Sequence, residues 1–237
     1  MNQNKERLIW NVVSLGGVLL ALRLRLYIVA VDEKNLLVSG HWVSLLIWAV
    51  AALCLGLALV AAFRAKEEGT LTVGGPVAAL GDGLFAGVRC LSMLAMGEPV
   101  SILEKARTVL AYLCVPSLLY AAVCRVKGKP VFFGCFCVVC VFFALYLVGI
   151  YRAWSSCPQL QDYVFAMLAL VGVTSFAYQN AALAVGLGSH RVWLASGLMT
   201  IGFGIAAIQG GAPMLLYIGA SGWAVTGLLG GEKTEEA

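Results

Sequence analysis

Of the 237 residues, 61% are hydrophobic and only 12% are charged, and the mean hydropathy is +0.92. Soluble domains average about 25% charged residues, so too few polar side chains are present to cover the exterior of a water-soluble globule. The net charge of +4 is scattered among apolar runs, with no basic block longer than Arg125-Val126-Lys127-Gly128-Lys129. A soluble enzyme, a nucleic-acid binder and a disordered chain are thereby excluded.

A bilayer core of about 30 Å takes roughly 20 apolar residues per helix. In chain order the candidates are Leu8–Val31, Trp42–Phe63, Thr72–Gly97, Val109–Cys124, Val131–Tyr151, Tyr163–Leu187, Val192–Ile208 and Ala212–Leu229. Lipid offers no partner for backbone groups, and these runs are too long for barrel strands. The expected fold is therefore all-α, a polytopic integral membrane bundle of about eight helices, residues 1–237, with no soluble domain. The third run is interrupted by Gly74-Gly75-Pro76 and Gly81-Asp82-Gly83, and the fourth has 16 residues with Pro116 inside.

The connectors carry nine Lys and Arg on the N-terminal side, among them Arg125, Lys127 and Lys129, and four on the other side, Lys34, Lys105, Arg107 and Arg152. That asymmetry predicts a plasma-membrane protein with both termini in the cytoplasm. Met1–Leu22 has the outline of a signal peptide, but Arg23 and Arg25 stand where a small-residue cleavage site belongs, so a retained first helix is expected. Trp10, Trp42, Trp154 and Trp193 fall near predicted boundaries, as interfacial indoles do, while Trp48 and Trp223 lie deeper. Leu26–Val31 matches Leu145–Ile150 at an offset of 119, which would fit a four-plus-four tandem repeat with halves 1–119 and 120–237.

Ionisable groups inside the membrane cost about 2.5–3.5 kcal/mol each on insertion scales and face protein or water. Arg23 with Arg25, Asp82 and Arg89 are such groups. Counted from Thr72, Asp82 is about 15 Å deep, near the midplane. Asp82 and Arg89 are seven residues apart and share a helix face, and Arg23 lies at a height from which it could also reach Asp82. Two readings follow: a structural ion pair with snorkelling arginines, or a solute-binding or proton-relay site. Without a cation beside it, a carboxyl group at that depth keeps its proton.

Gly75, Ala79, Gly83 and Gly87 recur at four-residue spacing, which predicts a helix-packing seam within the chain, with an oligomer interface as the other use. Gln179 and Asn180 end the most polar stretch within a span, where interfacial solvation or a cavity wall would satisfy them. The connector Tyr151–Tyr163 reads as helix-start chemistry from Ser156, Pro158 and Asp162, with Arg152 as a second-choice anion contact. His41 and His190 fall at boundaries, where solvation accounts for them.

Cys137 and Cys140, with Cys135 just before them, have the Cys-x-x-Cys spacing of a thiol pair, but no second pair or nearby His completes a metal site, and packing explains them better. No Walker loop, His-Glu-x-x-His or Gly-x-Ser-x-Gly elbow occurs. Gly219-Ala220-Ser221-Gly222 resembles the Gly-x-Ser-Gly of rhomboid proteases, but no later helix supplies a histidine. The expectation is a small-solute or ion carrier or sensor, without a catalytic centre, metal or cofactor, and with a site at Asp82, Arg23 and Arg89. The alternative is a non-catalytic membrane subunit that binds a partner protein, or a second copy of itself, through its Gly-rich helices.

Overall fold

A computed structural model describes residues 3–29, 42–65, 70–94, 101–154, 161–208 and 212–234. Eight helices occupy almost all of this: α1 Gln3–Val29, α2 Trp42–Arg64, α3 Gly75–Leu94, α4 Ile102–Val126, α5 Gly134–Trp154, α6 Gln161–Ala184, α7 His190–Ala206 and α8 Ala212–Gly230. Two short strands, β1 Thr70–Val73 and β2 Gly231–Thr234, pair antiparallel.

Each helix matches one expected span, with changed ends. The largest change is α4, which begins seven residues before its apolar run. Ser101 and Glu104 form a capping box there, each side chain accepting from the other's backbone N–H (3.2 and 3.0 Å), so a polar first turn is held helical. At its other end α4 runs through Val126 and closes at Gly128, whose φ of +63° is a conformation glycine adopts without strain. The Lys129 N–H returns to the Cys124 carbonyl at 2.9 Å and the Gly128 N–H to the Arg125 carbonyl at 3.2 Å, a Schellman ending. Arg125 therefore belongs to the last helical turn and not to a solvated connector.

Six helices among the described residues are long and apolar enough to cross a membrane; α3 and α7 are the other two. α3 carries Asp82 and Arg89. α7 has 17 residues, of which 11 are buried, so it meets protein on most sides and has no need of a lipid-compatible surface. It packs against α1, α2, α6 and α8, while α3, α4, α5, α6, α7 and α8 close a ring in that order. The α1–α2 pair leans on α7 from outside.

Glycines let α7 accept these neighbours. A Cβ on Gly16 of α1 would sit 2.9 Å from the Gly202 carbonyl, and one on Gly172 of α6 would sit 2.9 Å from the Thr200 nitrogen. The α3–α8 seam works the same way at Gly81, against Thr226, and at Gly230, against Ala78. This corrects the packing seam expected at Gly75, Ala79, Gly83 and Gly87. Ala79 is buried, but a Cβ on Gly75, Gly83 or Gly87 would meet nothing within 4 Å. Each four-residue step overshoots a full turn by about 40°, so three steps carry the ridge roughly a third of the way round the helix and off any single partner.

The course of the chain alternates between two faces. The ladder ties the segment before α3 to the segment after α8, Lys5 Nζ donates to the Gly231 carbonyl at 2.7 Å, and Arg191 Nε donates to the Ala65 carbonyl at 3.0 Å. The start of α1, the α2–α3 and α6–α7 connectors and the end of α8 thus share one face, here the ladder face. An even number of crossings requires that. Trp10 and Trp42 are exposed, as interfacial rings are, whereas Trp193 is fully buried under Lys5, whose ammonium stands 5.5 Å from the ring centroid.

Inside the ring, aromatic side chains fill the space six helices leave. Trp223 is 5.3 Å from Phe85, 5.1 Å from Phe176 and 6.4 Å from Phe136, and Phe142 and Phe143 continue the cluster toward the far face. This layer divides the polar interior into two parts.

Candidate functional site

Asp82 is fully buried, and both its oxygens are occupied. Trp223 Nε1 donates to Oδ1 at 2.7 Å, and Arg125 Nη1 lies 3.0 Å from Oδ2 as an ion pair. The Nη1–H bond is not aligned with that oxygen, so the contact is electrostatic and not a hydrogen bond. Arg125 is 4% exposed, stacks 5.1 Å from the Phe136 ring and donates through Nη2 to Asn180 Oδ1 at 3.4 Å. Asn180 Nδ2 is anchored on the Phe176 carbonyl at 2.8 Å. Helices α3, α4, α5, α6 and α8 each supply one side chain to this constellation.

A cavity of about 360 Å³ opens beside it, lined by Arg125, Lys129, Asn180, Phe136, Gly74 and Gly75 among others. That volume is within the usual range for small-molecule sites. The cavity lies on the ladder face: α3 begins there, α4 ends there, and α6 ends there in a second Schellman turn with Gly186 at φ +75°. Its charged lining is cationic, from Arg125 and Lys129, and the first turn of α3 adds the positive end of a helix dipole. Asp82 stands behind Arg125, away from the opening. Arg125 Nε and Nη1 have no hydrogen-bond acceptor among the described residues.

The site departs from the expected one in its partner and its depth. Neither Arg23 nor Arg89 pairs with Asp82. Arg23 donates to the Ala206 carbonyl at the end of α7 and lies 5.1 Å from the Phe165 ring. Arg89 shares a face with Asp82 but sits about 10 Å further along α3, and its Nη1 donates to Ser92 Oγ at 2.9 Å. Arg25 and Arg152 are exposed near the far ends of α1 and α5. The helix starts at Gly75 and not Thr72, which is in β1, so Asp82 is about 10 Å from the ladder-face end and not at mid-depth.

Sequence reasoning missed Arg125 as the partner because it was counted with Lys127 and Lys129 as a topology charge. The signal that could have found it is Gly128: a helix-terminating glycine there puts Arg125 in the preceding turn. Asn180 is a cavity wall, not a solvated interface residue, and Gln179 accepts from the Ser189 N–H at 3.2 Å. Cys135, Cys137 and Cys140 are free thiols, and the Ser221 hydroxyl donates to the Thr200 carbonyl at 3.4 Å. His41, Ser156, Cys157 and Pro158, and the side chains of Trp154 and Asp162, lie outside the described residues. Comparison of this chain with protein-family models, with curated proteins and with solved structures finds no match.

Proposed function

We propose that this protein is a carrier or sensor for a small solute, that it resides in the plasma membrane with the ladder face toward the cytoplasm, and that its solute is read by Arg125. The observation that supports this reading is the cavity of about 360 Å³ that ends on one side of a buried ion pair. A solute with an acceptor oxygen or a negative charge would be drawn to Arg125, whose buried Nε has no hydrogen-bond acceptor among the described residues, with Lys129 and the start of α3 adding positive potential. Asp82 and Trp223 would hold the guanidinium in place from behind. Loss of the Asp82 charge on protonation would free Arg125 for the solute, which is how a proton could be coupled to occupancy.

Reconstitution into liposomes tests it. Uptake or binding of small carboxylates, phosphate, halides and neutral polar solutes is measured for the native protein and for Arg125→Gln. Saturable uptake or binding that Arg125→Gln loses while remaining folded is the expected result; absence of either for every solute in the native protein overturns the reading. Orientation is tested separately: Lys129→Cys, in a background lacking the native cysteines, should react with an impermeant thiol reagent only from the cytoplasmic side.

The second reading, a non-catalytic subunit that docks a partner protein or another copy of itself, has Gly83 and Gly87 in its favour, since both face open space. Gly83→Leu discriminates: it would abolish association if the ridge is an interface and leave uptake unchanged if the protein is a carrier.

A further inference from the structure

Toward the far face, beyond the aromatic layer, a second polar cluster has no counter-charge among the described residues. Arg89 is 1% exposed, its Cζ lies 4.3 Å from the Phe142 ring centroid, and its Nε and Nη2 have no hydrogen-bond partner among the described residues. Arg107 reaches the same face of α5, its Cζ 4.9 Å from the Tyr146 ring, and its Nε is also without a partner. Phe142 and Tyr146 are 6.0 Å apart, one helical turn along α5, so the two guanidinium groups are neighbours on one wall. Among the described residues, the titratable groups that act on Arg89 are Arg107, Cys114 and Tyr146, none of them a carboxylate. Tyr217 of α8, whose buried hydroxyl has no partner among the described residues, lies between Tyr146 and Arg23 and not at either guanidinium. Glu104, one turn before Arg107, is held in the capping box at the start of α4.

A buried guanidinium normally has an anion beside it, because an uncompensated charge away from water is strongly unfavourable. One such group with a half-buried second beside it, both with donor hydrogens left over, makes a receptor for negative charge. We infer that a small anion, of the chloride, formate or phosphate class, binds between α3, α4 and α5 at Arg89 and Arg107. This site is separate from the cavity at Arg125 and does not depend on the carrier reading.

The test is thermal unfolding of the purified chain in lipid-depleted detergent, with gluconate replaced by chloride, formate or phosphate at constant ionic strength. A saturable rise in Tm of roughly 3–6 °C is expected once the anion reaches about ten times its Kd. Arg107→Gln and Arg89→Gln should abolish that rise, and Arg107→Gln should itself raise Tm in the anion-free buffer, a sign that loss of a merely structural arginine would not give. Arg25→Gln, exposed near the far end of α1 and outside both sites, should keep the anion response. A native protein indifferent to all three anions overturns the inference, as does an undiminished response in Arg107→Gln. A response confined to added phosphatidylglycerol also overturns it, by assigning the arginines to a lipid headgroup.

Discussion

The two halves of the α3–α4 pair solve the same problem in opposite ways. On the ladder face, Asp82 of α3 meets Arg125 of α4 at 3.0 Å, and Trp223 takes the second carboxylate oxygen. On the far face, Arg89 of α3 and Arg107 of α4 lean on the rings of Phe142 and Tyr146 and leave N–H groups unused. A charge whose counter-charge is encoded in the chain is fixed in place; a charge given an aromatic face and a serine hydroxyl is provisioned for a counter-charge that arrives from outside. Position in the bundle, more than residue type, separates the two.

Removing one member of the encoded pair should have the largest effect. Asp82→Leu strands a buried Arg125 and should cost about 3–5 kcal/mol of stability, read as a lowered Tm in detergent, while Asp82→Leu combined with Arg125→Met should recover most of it. If the double variant is as unstable as the single one, the pair is not what holds this half together. Trp223→Phe keeps the ring stack but deletes a hydrogen bond to a charged acceptor, an expected loss of about 1.5–3 kcal/mol. Arg89→Met, by contrast, orphans no carboxylate. It loses the Ser92 contact and a ring stack but removes an uncompensated charge, so a net change of about 1 kcal/mol or less is expected in anion-free buffer. A loss as large as that of Asp82→Leu would erase the distinction between the two halves.

Two glycine substitutions, one of them the smallest effect expected, sharpen the picture within α3 itself. Gly81→Ala drives a methyl group into Thr226 and should destabilise by about 1–3 kcal/mol. Gly83→Ala, facing open space, should change stability by about 0.5 kcal/mol or less in detergent. Unfolding measured on the two variants in parallel checks the seam directly.

Hydropathy made the helices legible, and basic residues made the alternation of faces legible, because lipid imposes both requirements on every span independently of its neighbours. α7 shows where that ends: its 17 residues are surrounded by other helices, a fact about packing that its composition reflects only through its glycines. The site was half legible. Asp82 stood out because a carboxyl group in an apolar run demands an explanation. Its partner did not, because Arg125 is adjacent to two solvated lysines and differs from them only in lying one turn inside the helix end. Likewise the spacing of Gly75 to Gly87 marks a ridge, but which side of α3 meets α8 is decided by Gly81 and Gly230, where the two backbones come closest.

The pairing of Thr70–Val73 with Gly231–Thr234 has a mechanical consequence. It clips the root of α3 to the tip of α8, and the interlocked glycines along their length make the two a single strut bearing both Asp82 and Trp223. Motion that widens the way past Arg125 must then swing the α4–α5 hairpin away from this strut, with the tight reversal at Gly128 moving as its rigid elbow.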